Sequence, residues 1–319
     1  MLRVYRSGDE SAFVNAWNLA MPSDGIRETT VMNRILTDAN FDPEGMILAE
    51  ESGQIVGGLL AIVRRTPMSG TDIEPDNGWI TSFFVRPDYR RRGIGTAIFK
   101  AADGFFRSRA KKTIYFASYA PNYFVPGIDR AQYPHGAALL EAQGFNQLYQ
   151  CVAMDKNLVG FEVPQDVLAV EAARREEGYV IENLTLRYVF PVLAFNEREF
   201  DPDWTRAIRD ALKSGVPMSN VLIARLGDEV HGFCMYGGYD GVGERFGPFG
   251  VSESLRGTGL GKVLLYRCLE QMRRDGLHGA WFLWTGEKEP AGHLYFRAGF
   301  SITRRFDVMV KKLGEYKGD

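Results

Sequence analysis

Apolar and polar positions along the chain follow helical and strand periods in turn, and they predict elements in the same order in two halves. In the first half the pattern predicts a helix, a hairpin that turns at Ser52–Gly53, and a strand that ends at Val85. A helix, a strand, another helix and a last strand follow. The predicted elements occupy residues 9–21, 46–58, 79–85, 96–110, 113–118, 137–143 and 148–154.

The second half repeats this order, with a hairpin that turns at Gly227–Asp228. Its predicted elements occupy residues 179–181, 203–213, 221–236, 244–251, 262–275, 279–284, 291–298 and 306–310. The sequence therefore predicts an α/β (α+β) fold with mixed sheets in two tandem domains, 1–160 and 179–319. The charged, alanine-rich run at 161–178 is predicted to be a connecting helix, since Pro164 suits a helix start and Gly178 a helix end.

A short motif occurs once in each half, directly after a predicted strand and before a predicted helix. It reads R-x-x-G-x-G at Arg90 to Gly95 and again at Arg256 to Gly261. A helix N-terminus has unpaired N–H groups and a partial positive charge, so a phosphate binds there readily. Glycines let the backbone approach the ligand, and arginines add charge-assisted hydrogen bonds.

An ordinary strand-to-helix turn is the alternative interpretation of either motif alone, but two copies with matching surroundings make chance a poor explanation. Other phosphate-binding loops fit less well. A Walker A loop would need glycine in place of Arg256 and Ser or Thr in place of Val263. A dinucleotide fingerprint would need a small residue in place of Ile98 or Leu264.

Composition narrows the classes of function. The 319 residues carry a net charge of −2, which argues against a general nucleic-acid-binding protein. The three cysteines are widely spaced and the four histidines have no metal-ligand spacing, so we expect neither a disulfide framework nor a metal site. Neither a signal peptide nor a run long enough to span a membrane is evident, and the predicted location is the cytoplasm.

With these motifs, and with Gly-Phe near the end of each half (Gly144–Phe145 and Gly299–Phe300), the sequence resembles the GNAT superfamily of acyl-CoA-dependent N-acyltransferases. The tandem layout is similar to that of two-domain acetyltransferases of the mycothiol synthase type. The resemblance implies two mostly antiparallel, splayed sheets flanked by helices, with acetyl-CoA as the cofactor. The coenzyme A contacts that it implies are Phe84, Val85, Arg90, Arg91, Arg92, Gly93, Ile94, Gly95 and Thr96, and Gly250, Val251, Arg256, Gly257, Thr258, Gly259, Leu260, Gly261 and Lys262.

The resemblance also implies a catalytic tyrosine four residues before the glycine of Gly-Phe, where it protonates the leaving thiolate. Tyr295 holds that position in the second half, whereas Leu140 holds it in the first. The sequence thus favours the second half for catalysis, with Glu244 or Asp240 helping to deprotonate the amine. The alternative interpretations are that Tyr295 is an ordinary helix residue and that both carboxylates are solvated. Lys288 replaces an asparagine common in the family.

Between Gly93 and Phe145 the first half is eleven residues longer than the second half between Gly259 and Phe300. We assign most of the difference to 119–136, where Tyr123 and Asp129 are candidates for binding the acceptor; packing against the other half is an equal alternative. The predicted function is direct transfer of an acetyl group from acetyl-CoA to the primary amine of a small molecule. The alternative is a coenzyme A-binding regulatory or scaffold protein in which one or both domains are inactive.

Overall fold

The computed structural model describes residues 1–314 of the chain, which divide into two compact units. Unit 1 contains residues 1–151 and 304–314, and unit 2 contains residues 152–303.

The helices are α1 (Glu10–Ala20), α2 (Glu28–Val31), which continues into a π-helical turn at Met32–Leu36, α3 (Ile94–Ser108), α4 (Pro134–Ala142), α5 (Gln165–Glu176), α6 (Val189–Glu199), α7 (Pro202–Lys213), α8 (Leu260–Arg274) and α9 (Pro290–Arg297). The strands are β1 (Leu2–Val4), β2 (Met46–Glu51), β3 (Gln54–Ile62), β4 (Asn77–Val85), β5 (Thr113–Phe116), β6 (Asn146–Asn157), β7 (Tyr179–Asn183), β8 (Val221–Leu226), β9 (Glu229–Tyr236), β10 (Phe246–Val251), β11 (Gly279–Thr285) and β12 (Ser301–Lys312).

Unit 1 is built on a mixed sheet in the order β1-β2-β3-β4-β5-β12. All neighbouring strands are antiparallel except β4 and β5, which run parallel. One apolar cluster packs α3 and α4 against one face of this sheet, and another packs α1 against the opposite face. Trp17 and Phe99, both fully buried, are central to these two clusters.

Unit 2 repeats the arrangement with an antiparallel sheet in the order β10-β9-β8-β7 and an antiparallel pair of β11 with β6. Helices α5, α8 and α9 contribute to one apolar cluster, and α6 and α7 to another. Strand β10 is an edge strand whose register shifts between Phe246 and Phe249, around Pro248. Proline is tolerated at such a place because the ladder needs no N–H there.

The predicted fold class is confirmed, and so are both hairpins and the helix after each motif. The units, however, divide the chain differently from the predicted domains 1–160 and 179–319. The chain crosses from unit 1 to unit 2 within β6 and returns within β12, so the last strand of the chain completes the sheet of unit 1. The predicted linker helix exists as α5, but its Val167 is fully buried in the core of unit 2.

Two further features were missed by the sequence interpretation, namely α6 and the helical segment at 28–36. Helix α6 begins at Val189 with a proline, Pro191, in its first turn, and the proline obscured its apolar period. Among residues 1–314, no helix is both long and apolar enough to span a membrane.

Candidate functional site

The first motif forms the turn between β4 and α3. Gly93 is the N-cap of α3 with φ of +79°, in the left-handed region that favours glycine. The first intrahelical bond runs from the N–H of Ala97 to the carbonyl of Gly93, at 3.0 Å. The amides of Ile94, Gly95 and Thr96 precede it, so they point out of the helix start as unpaired donors. A Cβ at Gly93 would meet no atom within 4 Å, which leaves the space beside this turn open.

The three arginines of this motif are placed differently. The side chain of Arg90 donates to the backbone carbonyls of Val85 and Ala20, at 3.1 and 3.2 Å. Arg91 has φ of +62°, an uncommon conformation for a residue with a Cβ, and lines the cavity described below. Arg92 does not line that cavity: its guanidinium lies over the ring of Tyr89, donates to the carbonyl of Asp88 and is 3.6 Å from a carboxylate oxygen of Glu51. Only two of the predicted arginines therefore line the cavity.

A cavity of about 1020 Å³ opens in unit 1 beside the motif. Strand β4 pairs with β5 only from Asn77 to Ile80, so its continuation from Thr81 to Val85 has no β5 neighbour on that side. This divergence of two parallel strands forms one wall of the cavity. The cavity is also lined by α1, by the N-terminal turns of α3 and α4, and by the loop that precedes α4.

Most of the predicted contacts of the first motif line this cavity. They are Phe84, Val85, Arg90, Arg91, Gly93, Ile94, Gly95 and Thr96. Asp129 lines it as well and is 4% exposed, whereas Tyr123 is not among its lining residues and its backbone carbonyl accepts a hydrogen bond from Arg34.

A network of charged side chains occupies the polar part of the cavity wall. Arg304, on β12, donates from Nη1 and Nη2 to the two carboxylate oxygens of Asp24, at 2.6 and 3.0 Å, and from Nε to Asp129 at 2.7 Å. The hydroxyl of Tyr133 also donates to Asp24, at 2.6 Å. Burial and this bond to a carboxylate raise the pKa of Tyr133, so the phenol stays protonated.

The sequence interpretation missed Asp24, Tyr133 and Arg304. Asp24 and Arg304 are 280 residues apart in the chain, and no local pattern links positions so distant. Thr81 was also missed. It lies at the register shift in the pairing of β4 with β3, and a register shift depends on contacts between strands, which no local pattern shows. Its hydroxyl is buried, lines the cavity and has no hydrogen-bond partner among residues 1–314.

The second motif forms the corresponding turn between β10 and α8. Gly259 is the N-cap of α8 with φ of +86°, close to the value at Gly93. Here, however, a Cβ would lie 2.6 Å from Cγ1 of Val170 on α5. Lys262 is paired with Asp166, also on α5, at 2.5 Å, and this pairing holds the pKa of Asp166 below its usual value. Helix α5 thus covers the start of α8.

The remaining predicted contacts in unit 2 are mostly engaged with the protein itself. Arg256 is paired with Glu253 at 2.8 Å, and the hydroxyl of Thr258 donates to the carbonyl of Leu255 at 2.8 Å. Leu260 is 1% exposed in the core. A Cβ at Gly250 would contact the ring of Phe200. Gly257, Gly261 and Val251 complete the turn, and Gly261 lies against the side chain of Val251.

Tyr295, the predicted acid, is 7% exposed and lies within a cluster of aromatic rings. Its ring centroid is 4.5 Å from that of Phe282 and 5.4 Å from that of Phe300, and Phe246 and Phe249 are near 6 Å. Burial raises the pKa of Tyr295, which makes the phenol a weak acid. Glu244, the predicted base, is half-buried just before β10, and its backbone carbonyl accepts a hydrogen bond from Trp281.

Another cavity, of about 660 Å³, lies in unit 2 and is lined by residues of α5, α8 and the segment at 161–163. It includes no residue of the second motif. Within residues 1–314, no group of three or more His, Cys, Asp or Glu side chains is arranged to hold a metal ion.

Two α/β units, each with a glycine-rich turn that leads from a strand into a helix, define the chain as a tandem-domain protein of the acyltransferase class. The chain belongs to the acetyltransferase (GNAT) family, whose model matches residues 12–124 and 186–300. The recognition of two GNAT domains from the sequence is thereby confirmed. The comparison with curated proteins found no match to the sequence.

Three solved structures show the fold of the whole chain. One is a glucosamine N-acetyltransferase region of a fungal multi-domain β-N-acetylglucosaminidase, at 19% identity and a TM-score of 0.80; the match covers 97% of this chain and 38% of that one. Another is a GCN5-related N-acetyltransferase from Sphaerobacter thermophilus, at 17% identity and a TM-score of 0.71; the match covers 98% of this chain and 95% of that one. A tandem GNAT protein from the clavulanic acid biosynthesis pathway matches at 16% identity and a TM-score of 0.67, and the match covers 99% of both chains.

Proposed function

We propose that this protein transfers an acetyl group from acetyl-CoA to the primary amine of a small molecule, and that the transfer occurs in unit 1. The observation that carries the proposal is the 1020 Å³ cavity, which connects an open phosphate-binding turn with a diverging pair of strands and a group of charged side chains. A cavity of this size is at the upper end of the range for small-molecule and cofactor sites, typically about 300–1,000 Å³. The corresponding turn in unit 2 is covered by α5.

The turn at Gly93 supplies what a pyrophosphate requires. Three unpaired amides at the start of α3 provide hydrogen-bond donors and the positive end of the helix dipole. Arg91 adds a positive charge that has no ion-pair partner among the described residues, on a strained backbone. Strain of this kind costs about 1–3 kcal/mol and is concentrated at functional sites. The matching position in unit 2 is Gly257, which adopts a positive φ without that cost.

The exposed edge of β4 accommodates the acyl-carrying arm of the cofactor. From Thr81 to Val85 the strand is paired with β3 on one side only, so its other backbone groups are available to an extended ligand. The thioester would then lie near Thr81, where the strands separate. In this arrangement the cofactor's phosphates and its acetyl group occupy opposite ends of one cavity.

The reaction requires a neutral amine. The ammonium form of the acceptor loses one proton to water or a carboxylate, and its nitrogen attacks the thioester carbonyl carbon. The C–N bond forms, the C–S bond breaks, and the nitrogen releases a second proton. One proton is taken up by the coenzyme A thiolate, so the net products are the amide, coenzyme A and one proton. Leu140, which holds the position of the catalytic tyrosine in unit 1, is fully buried and apolar. The proton that the thiolate takes up in unit 1 therefore comes from another group or from water.

Unit 2 has a structural role in this proposal. Its motif keeps the backbone conformation of a phosphate-binding turn, but α5 lies where a ligand would approach Gly259. The predicted roles of Tyr295 and Glu244 remain untested, and the proposal does not use them. The names of two relatives support the chemistry: one is a glucosamine N-acetyltransferase region, and another, a tandem GNAT protein, was solved without AcCoA.

The proposal is tested by measuring release of free thiol from acetyl-CoA with the full chain and a broad panel of amines. Arg91→Ala is expected to raise the KM for acetyl-CoA at least tenfold, because it removes the unpaired charge at the turn. Arg92→Ala is the matched control, since Arg92 does not line the cavity and its charge is paired with Glu51, and it is expected to change KM less than twofold. Coenzyme A binding without thiol release for any amine would contradict the proposal and favour a regulatory or scaffold protein.

A further inference from the structure

The charged side chains at the polar end of the cavity in unit 1 are hydrogen-bonded to one another and together carry one negative charge. Asp24 and Asp129 contribute two negative charges, and Arg304 contributes one positive charge, which leaves one negative charge. Tyr133 adds none because it stays protonated. The remaining arginines of the cavity, Arg90 and Arg91, belong to the phosphate-binding turn.

The hydrogen bonds of the network also leave room for further donors. A carboxylate offers about four lone-pair sites. Asp24 accepts three hydrogen bonds, two from Arg304 and one from Tyr133. Asp129 accepts three as well, from the amides of Ala131 and Gln132 and from Arg304. Each carboxylate therefore keeps one site, and the side chain of Asp24 is the more exposed, at 13% against 5%.

One more polar group, independent of this network, lines the same cavity. Thr81 is 2% exposed, and its hydroxyl has no hydrogen-bond partner among residues 1–314. A buried hydroxyl without a partner is destabilising, and a bound ligand with a polar group that pairs with it removes that cost. The cavity wall thus contains a free hydrogen-bonding group as well as a network with one net negative charge.

We propose that the network formed by Asp24, Asp129, Arg304 and Tyr133 selects an acceptor that carries one positive charge and no carboxylate. This inference rests on the proposed function and names the acceptor class for the same site. The ammonium of the acceptor binds at the open lone pair of Asp24 and neutralises the network. An amino acid would bring its carboxylate into a site that is already negative, and Arg304 is engaged with two carboxylates rather than available to bind a third.

Arg304 acts as a positioning residue in this arrangement. It holds both oxygens of Asp24 with a planar guanidinium, in the bidentate geometry that fixes a carboxylate in orientation. Its position on β12 means that the acceptor end of unit 1 depends on a residue from the last strand of the chain.

The test compares pairs of acceptors that differ by a carboxylate: ethanolamine with serine, tyramine with tyrosine, and tryptamine with tryptophan. Thiol release from acetyl-CoA is measured with the full chain. The expected result is that the amine of each reactive pair has at least a tenfold higher kcat/KM than its carboxylate-bearing partner. Equal or better turnover of the carboxylate-bearing partners would overturn the acceptor class while leaving the proposed function intact. Absence of turnover with every amine would overturn the proposed function and this inference together.

Asp24→Asn tests the role of the charge directly. It is expected to raise the KM for the amine at least tenfold, to change kcat less than threefold, and to reduce the preference over the carboxylate-bearing partner at least tenfold. Asp103→Asn is the matched control: it removes a carboxylate that is paired with Lys311 outside the cavity, and we expect the KM for the amine to stay the same.

A loss of preference separates selection by charge from a general structural effect, since misfolding lowers the turnover of both partners alike. Coenzyme A binding by calorimetry shows whether Asp24→Asn is folded. Should that variant fail to bind coenzyme A, Tyr133→Phe removes only one hydrogen bond from Asp24 and is expected to raise the KM for the amine about twofold to fivefold. An unchanged KM and an unchanged preference in the folded variant would overturn the inference.

Discussion

The two N-cap glycines provide a matched pair of perturbations, because the same methyl group can be added to both turns. Gly93 and Gly259 have φ of +79° and +86°, so alanine pays a similar conformational cost at each, about 1–2 kcal/mol. Their surroundings differ. Nothing lies within 4 Å of a Cβ at Gly93, whereas Cγ1 of Val170 lies 2.6 Å from a Cβ at Gly259.

The difference predicts opposite patterns of stability and binding. Gly259→Ala must displace α5, and overpacking of this kind adds about 1–3 kcal/mol. We therefore expect it to lower the free energy of unfolding by about 2–5 kcal/mol, against about 1–2 kcal/mol for Gly93→Ala. For coenzyme A the order reverses. The methyl group at Gly93 lies where a phosphate would approach, so affinity should fall at least tenfold, which corresponds to about 1.4 kcal/mol.

The measurement combines urea unfolding with hydrogen exchange of α3 and α8, which reports each unit separately. Isothermal titration with coenzyme A gives the affinity of each variant. Gly259→Ala is expected to bind coenzyme A with the affinity of the unmodified chain. A loss of affinity in Gly259→Ala together with full affinity in Gly93→Ala would refute the assignment of the cofactor to unit 1.

Three further predictions concern other parts of the chain. Tyr295→Phe should leave turnover within twofold, because Tyr295 lies in an aromatic cluster; a tenfold fall in kcat would instead support Tyr295 as the acid. Burial raises the pKa of Cys151 to about 12, so above pH 9 the unfolded chain releases this proton while the native chain keeps it, and stability falls as pH rises. Between pH 9 and pH 10, Cys151→Ala should reduce that loss in the free energy of unfolding by roughly 1 kcal/mol, as measured by urea unfolding. If the free energy of unfolding changed with pH as steeply in the variant as in the unmodified chain, the result would count against the burial of Cys151. A fragment of residues 1–160 should lack the dispersed amide spectrum of a folded protein, because Met309 and Phe306 of β12 are fully buried; a dispersed spectrum would show that β12 is dispensable.

Local patterns were sufficient to predict most of the fold. The hairpin turns at Ser52–Gly53 and Gly227–Asp228 have positive φ at three of their residues, Ser52, Gly53 and Gly227, as turn chemistry requires. Gly144 and Gly299 end their helices in the left-handed region, as predicted from the Gly-Phe pairs. These features depend on residues adjacent in sequence, and sequence patterns are informative for that reason.

The functional preference between the halves depended on contacts between distant residues, which sequence patterns do not show. Tyr295 matches the family position of the acid, but the pattern gave no information about the rings that surround it. Val170 reads as an ordinary residue of a linker helix, yet it covers Gly259. Asp24 and Arg304 are unremarkable in their local sequences and meet only because β12 returns to unit 1.

The central claim is that one turn, at Gly93, holds the cofactor and the other does not. The number of coenzyme A molecules bound per chain tests it most directly, by native mass spectrometry of the full chain at saturating coenzyme A. One molecule per chain is expected, with lower occupancy in Gly93→Ala and unchanged occupancy in Gly259→Ala. Two molecules per chain, or one molecule that is lost only in Gly259→Ala, would contradict it.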